Sequence, residues 1–186
     1  RDRLSGLPET ARGAAEELVS ARDALAARID SIRGMTPSGR QSRIHGDFHL
    51  GQVLVVHNDV LIIDYEGEPA RTLEEREAKT SPLRDVAGML RSFDYALWTA
   101  LDRRIQKGGD AERAADMVEN WREATQETFL TAYRDRLGDD PIRPTDPAFE
   151  ATLLDLFLIQ KAAYEVDYEL AMRPNWVGIP IQGLLA

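Results

Sequence analysis

The sequence predicts an α+β fold, mostly helical, with one small β-hairpin. Apolar residues recur at helical period in four long segments. Two β-branched runs, 53–56 and 60–63, flank His57-Asn58-Asp59, which is a hairpin pattern. Glycine and proline clusters punctuate the chain between these elements.

Residues 1–9 read as linker. From Thr10 to Arg33, Ala14, Leu18, Ala21, Leu25, Ile29 and Ile32 predict one helix, ended by Gly34 and the Pro37-Ser38-Gly39 loop. Arg43-Ile44-His45 is expected as a short strand entering a His-rich loop, followed by the hairpin. The charged segment 65–80 is expected as loop. Ser81-Pro82 supplies an N-cap and first-turn pair for a helix to about Gln106, burying Val86, Leu90, Phe93, Leu97 and Leu101. Gly108-Gly109 breaks it. A helix over 110–137 is expected to bury Met117, Trp121, Ala124, Phe129 and Tyr133. Asp146-Pro147 starts the last helix, to about Met172, and Pro174, Trp176 and Pro180 predict an extended or turning end.

Composition narrows the function classes. The chain has 186 residues, 43% of them hydrophobic, enough for one domain with a sizeable core. No apolar run approaches the roughly 18 residues of a membrane helix. There is no cysteine, which removes disulfides and thiolate metal sites. A net charge of −9 argues against nucleic acid and anionic membrane as partners. These features predict a cytoplasmic protein.

The densest chemistry lies in His45-Gly46-Asp47-Phe48-His49-Leu50-Gly51-Gln52, with Asp64 twelve residues further on. A phosphoryl-transfer loop carries a base Asp five residues before an oxygen ligand for Mg2+, and a second metal-binding Asp follows. Asp47, Gln52 and Asp64 keep that order. Asp47 then orients the acceptor hydroxyl and takes its proton. Gln52 and Asp64 flank the hairpin, each six residues from Asn58, so antiparallel pairing about that residue brings two oxygen donors together.

Three features admit more than one reading. His45-x-Asp47-x-His49 has alternation suited to a histidine metal site, or His45 braces the loop and His49 lies near the substrate. Asp85 is either a first-turn acid favoured by the helix dipole or an acceptor for loop backbone. Lys161, Tyr164, Glu165 and Tyr168, at i, i+3, i+4 and i+7, form either a solvated face or a sugar-binding one.

The run from Ile44 to Val53 resembles the catalytic loop of bacterial maltokinases, relatives of the aminoglycoside phosphotransferases, including their Gln at the metal position. Ile63-Asp64-Tyr65-Glu66-Gly67-Glu68-Pro69, the segment 81–95, Lys161 to Leu170 and Arg173-Pro174-Asn175-Trp176 resemble that family's further motifs, in register from about residue 10 to the end. The resemblance implies the C-terminal lobe of a protein-kinase-like fold over 10–186. It implies transfer of the ATP γ-phosphate to the anomeric hydroxyl of maltose, on a route from trehalose to glycogen, with trehalose synthase fused or associated. It carries catalysis onto Asp47, Mg2+ onto Gln52 and Asp64, and sugar binding onto Lys161, Tyr164, Glu165, Tyr168 and Arg173.

No G-x-G-x-x-G occurs, and none of Lys79, Lys107 and Lys161 falls on a predicted strand. The phosphate clamp and an N-lobe are therefore expected upstream of Arg1, and the chain alone is expected not to turn over. A kinase of another sugar, such as glucosamine, is the alternative. It calls for an extra carboxylate against the amine, for which Asp167 and Glu169 are available but read as turned away from the Glu165 face. A non-catalytic lobe beside trehalose synthase is a further alternative, against which the intact Asp47, Gln52 and Asp64 weigh.

Overall fold

The computed structural model describes residues 6–69, 71–108 and 110–186. They are mostly helical, with one two-stranded antiparallel sheet. None of the described helices is long and apolar enough to cross a membrane. The chain divides into two compact units, Arg1–Ser38 with Pro144–Ala186, and Gly39–Arg143.

In the first unit the expected helix over 10–33 is two: α1 (Glu9–Ser20) and α2 (Arg22–Asp30), broken at Ala21, whose ψ of 5° leaves the helical range. Residues 1–5 of the expected linker lie outside the described residues, but Leu7 is buried, packing with Ala11 and Ala15 of α1. The helix from Asp146 appears as α6 (Pro147–Met172); Asp146 accepts a hydrogen bond from the Ala148 N–H, and Pro147 sits where its missing N–H costs nothing. The end of the chain is not extended. Pro174–Trp176 forms a 3-10 turn and Gly178–Leu185 a helix (α7) whose Ile181 joins Val177 and the α1 residues in one core. Pro180 stands in the first turn of α7, where a proline needs no intrahelical donor. Leu184 packs with Ile159 and Ala162 of α6. Arg28 of α2 makes two bonds to the Asp155 carboxylate, a bidentate pair.

In the second unit Arg43–His45 does not form a strand; only Ser42 bridges Thr80 in the antiparallel sense, so no continuous partner extends the pairing. The hairpin is β1 (Val53–Val56) and β2 (Asp59–Ile62), joined through His57 and Asn58 alone. Both have positive φ (48° and 65°), the two-residue turn whose twist suits a hairpin. The segment 65–80 contains a short helix, α3 (Leu73–Glu77), started by a reciprocal capping box between Thr72 and Glu75. Helix α4 (Leu83–Gln106) buries Val86, Leu90, Leu97 and Leu101 as expected, while Phe93 is half-buried and meets Phe129 edge-on at 5.6 Å. Gly109 of the expected break lies outside the described residues; Gly108 has φ 79° and follows the end of α4.

Helix α5 (Ala111–Leu137) differs from expectation in its buried stripe. Met117 and Trp121 are exposed (65% and 53%), as is Ala124. The half-buried row runs through Ala114, Val118, Arg122 and Gln126 to Phe129 and Tyr133, the last two being members of the expected stripe. Its polar members have partners: Gln126 donates to the Asp94 carboxylate of α4, whose other oxygen takes Arg91 at 2.7 Å. Burial pushes the Asp94 carboxyl up, and Arg91 and Arg122 pull it back.

Candidate functional site

The site is assembled on the loop between Ser42 and β1. His45 is buried, its ring against Phe48 and Tyr65 (centroids 5.5 and 4.8 Å). Its Nε2 lies 2.8 Å from the Ile63 carbonyl, which can only accept, so Nε2 carries the proton. That leaves Nδ1 as acceptor, facing the Asp47 N–H at 3.4 Å. Both nitrogens face backbone groups, which removes the histidine metal site. Among the described residues no group of three or more His, Cys, Asp or Glu is gathered as a metal cage. His45 instead braces the loop and ties Asp47 to the residue preceding Asp64.

Asp47 is partly exposed, with His49 Nε2 3.8 Å from its Oδ2. His49 Nδ1 accepts from the Gly51 N–H and so starts the 3-10 turn Leu50–Gln52. This turn delivers Gln52 to the foot of β1.

The pairing of Gln52 with Asp64 is reached by a route the sequence did not suggest. Val53 lies opposite Ile62, so the register centres between His57 and Asn58, and Gln52 faces Ile63, whose N–H donates to the Gln52 carbonyl at 3.0 Å. Alternation alone would send the Asp64 side chain to the other face. Asp64 has φ 64°, however, and this left-handed residue ends the strand and redirects the carboxylate. Gln52 Nε2 donates to Asp64 Oδ2 at 2.9 Å. A half-turn of the amide exchanges Nε2 for Oε1 and presents two oxygen donors side by side. The donor set fits one hard cation completed by phosphate oxygens and water.

Gln52 shares a strand face with Leu54, which stands opposite Leu61; Leu54, Leu61 and Ile63 are all exposed (47%, 56% and 39%). An apolar shelf thus adjoins the polar pair.

Helix α4 holds the loop along one face. Asp85 accepts from the His45 N–H at 2.7 Å and the Gly46 N–H at 2.9 Å, which decides between its two readings. Burial pushes its carboxyl up, opposed by these two backbone donors. One turn on, a Cβ on Gly88 would stand 2.6 Å from the Phe48 carbonyl oxygen. Another turn on, Ser92 Oγ accepts from the Leu50 N–H at 3.1 Å. Gly46 (φ 87°) gives the loop its tight bend, where a Cβ would meet the Gly67 Cα at 3.1 Å. Gly88 and Ser92 were not singled out from the sequence; their spacing of three and seven from Asp85 is the signal that locates them. Gly88→Ala is expected to displace the loop and destabilise the fold by about 1–3 kcal/mol, measured by denaturant unfolding with the activity assay in parallel.

In the first unit the expected sugar residues separate into two sets. Tyr164 and Tyr168 are exposed and stacked (6.5 Å, 26°), with Lys161 Nζ 5.3 Å from the Tyr164 ring. Arg173 lies over Tyr168 at 5.6 Å and Trp176 at 4.7 Å, and grips the buried Glu169 with two nitrogens. Glu165 is buried rather than displayed beside the tyrosines. Glu169, expected to turn away from Glu165, lies one turn further along the same buried side. The outer part is therefore a cation–aromatic ladder in which Tyr164, Tyr168 and Arg173 are exposed and Lys161 and Trp176 half-buried.

Comparison with known proteins gives a consistent set of likenesses. The chain is 31% identical over 154 residues to the glucosamine kinase of Streptacidiphilus jiangxiensis, covering 83% of this chain and 32% of that protein. It is 29% identical over 143 residues to the glucosamine kinase of Mycolicibacterium smegmatis (strain ATCC 700084 / mc(2)155), covering 76% and 33%. A solved glucosamine kinase, crystal form B, superposes with a TM-score of 0.80 at 25% identity over 99% of this chain and 42% of that one. A second, in complex with glucosamine, ADP and inorganic phosphate, superposes at 0.78 with 24% identity, covering 99% and 41%. The chain spans about a third of the length of the curated relatives it matches. No family model matches it.

Proposed function

We propose that this chain is the catalytic lobe of an ATP-dependent sugar kinase whose acceptor is glucosamine, completed by an N-lobe elsewhere in the full-length protein. The observation that carries phosphoryl transfer is the meeting of Gln52 with Asp64 beside the Asp47 loop. The acceptor rests on the likeness to glucosamine kinases, which supports the amino sugar over the maltose that the sequence motifs suggest.

In this reading Asp47 takes the proton of the attacking sugar hydroxyl as its oxygen bonds to the γ-phosphorus, and ADP leaves. His45 fixes the loop, and His49 flanks the Asp47 carboxylate near the acceptor. Gln52 and Asp64 hold Mg2+, which when bound neutralises phosphate charge. The shelf of Leu54, Leu61 and Ile63 suits one face of the nucleotide base. The ladder on α6 has the ring faces and cations that suit stacking against a sugar.

The full-length protein, given ATP and Mg2+, is expected to phosphorylate glucosamine with a higher kcat/KM than maltose or glucose, measured by coupled ADP release and mass spectrometry of the product. A preference for maltose returns the acceptor to the disaccharide, and no phosphorylated sugar from the panel refutes the reading. Tyr168→Ala is expected to raise the sugar KM up to about tenfold, the worth of one aromatic contact of roughly 1.4 kcal/mol, with the ATP KM unchanged. An unchanged sugar KM removes the ladder from the binding site.

A further inference from the structure

We infer that Ser92 is a positioning residue that sets the metal-nucleotide affinity of this site by latching the turn that bears Gln52. The inference rests on the kinase reading above. It concerns a side chain that touches no reacting atom.

The argument begins with the turn. Leu50–Gln52 is a single 3-10 turn, and the first N–H groups of any helical turn lack intrahelical acceptors. Two side chains supply them. His49 Nδ1 takes the Gly51 N–H at 3.1 Å, and Ser92 Oγ takes the Leu50 N–H at 3.1 Å. The Gln52 N–H closes the turn on the His49 carbonyl at 2.9 Å. His49 is local and moves with the loop. Ser92 sits on α4, so it alone of the two ties the turn to a helix.

The Ser92 hydroxyl is itself oriented. It donates to the Met89 carbonyl at 2.9 Å within its own helix, which turns its lone pairs outward to the Leu50 N–H. Met89 is buried at 3% exposure, so that anchor is set in the core. Gly88, a turn before Ser92, leaves α4 no Cβ against the Phe48 carbonyl, and this close approach brings Ser92 within reach of Leu50.

What the turn controls is the Gln52 side chain. Gln52 must arrive at Asp64, whose own place is fixed by its left-handed backbone and by the His45 bond to the Ile63 carbonyl. One partner of the pair is thus held from the hairpin side and the other from α4. Loss of the Ser92 hydroxyl releases the Gln52 side and leaves the Asp64 side in place. Asp47, braced separately through His45 and Asp85, keeps its position. The consequence is selective: weaker metal-nucleotide binding, with the sugar KM unchanged.

The test compares Ser92→Ala, Ser92→Thr and Ser92→Val in the full-length protein. Thr and Val have nearly the same shape and differ in the hydroxyl. Mn2+ serves as the paramagnetic probe, titrated with ADP and followed by electron paramagnetic resonance, so the readout does not depend on turnover. Ser92→Ala and Ser92→Val are expected to weaken Mn2+–ADP binding roughly three- to tenfold, the range for one lost hydrogen bond. Ser92→Thr is expected to stay within twofold of wild type, and the sugar KM to stay unchanged throughout. Equal affinity in all four proteins overturns the proposal, and so does equal weakening in Thr and Val, which assigns the effect to bulk. A wild-type protein that binds no Mn2+–ADP refutes the kinase reading itself, whereas wild-type binding with an unaffected Ala variant refutes only the latch.

Discussion

Asp47→Asn in the full-length protein is expected to lower kcat by about 10²–10⁴-fold while leaving the thermal midpoint and the sugar KM near wild type. The amide is nearly isosteric with the carboxylate but accepts no proton at neutral pH. Groups other than the Asp47 side chain hold the backbone of the loop. The Asp47 backbone N–H faces His45, and the preceding N–H groups of His45 and Gly46 are taken by Asp85. The effect should therefore fall on the chemical step and not on folding. Stopped-time assays of ADP release under saturating substrates measure it, with circular dichroism confirming the fold. Retention of activity within a few-fold of wild type sinks the assignment of Asp47 as base, and a collapsed melting curve shows a structural role.

The sequence disclosed candidate residues better than their geometry. The order and spacing of Asp47, Gln52 and Asp64 were legible as a phosphoryl-transfer pattern, and Gln52 does meet Asp64. Asp64's left-handed backbone was not legible: a two-residue turn puts Gln52 opposite Ile63, and only the sign of one φ angle restores the pair. Long-range holders escaped for a similar reason. Nothing in a Ser at position 92 announces an N–H forty-two residues earlier, and Gly88 shows its purpose only once Phe48 lies against it.

The helices show where periodicity misleads. In α5 the apolar residues Met117 and Trp121 lie one row away from the true contact stripe, whose polar members Arg122 and Gln126 face Asp94 and its neighbours. A rule that counts only apolar residues cannot see a seam closed by hydrogen bonds. In α6 helical spacing alone grouped Glu165 with Tyr164 and Tyr168, though it is buried and they are exposed. Helix α3 was announced by Thr72 and Glu75, whose capping-box spacing stood unread within a charged run. Helix α7 was masked by Gly178, Pro180 and Gly183, residues that usually interrupt helices but here sit near its ends.

Asp85→Asn is expected to cost about 100-fold in kcat, the scale of a small displacement of a catalytic group, and about 1–3 kcal/mol of stability for a backbone donor left without an acceptor. The two carboxylate oxygens divide between the N–H groups of His45 and Gly46. An amide offers one acceptor oxygen, and its NH2 then faces the other N–H, donor against donor. The pH dependence separates this role from a generic loss of packing. Burial raises the Asp85 carboxyl above its ordinary value of 3.8. For a carboxyl raised on folding, its contribution to stability is fully present below that ordinary value and is lost as pH rises through the elevated folded one. Activity runs the other way, because only the ionised form accepts both N–H bonds. The wild-type rate should thus fall, on acidification, at a higher pH than an unperturbed aspartate predicts. Within that same window Asp85 alone makes the fold relatively more stable toward acid. In Asp85→Asn both trends should disappear: the melting midpoint should lose this part of its slope above about pH 4, and the acid limb of the rate should shift to the remaining groups. Rates and thermal melts of both proteins across that interval measure the two trends together. An Asn variant with wild-type rate, or with both pH slopes intact, removes Asp85 from its place behind the loop.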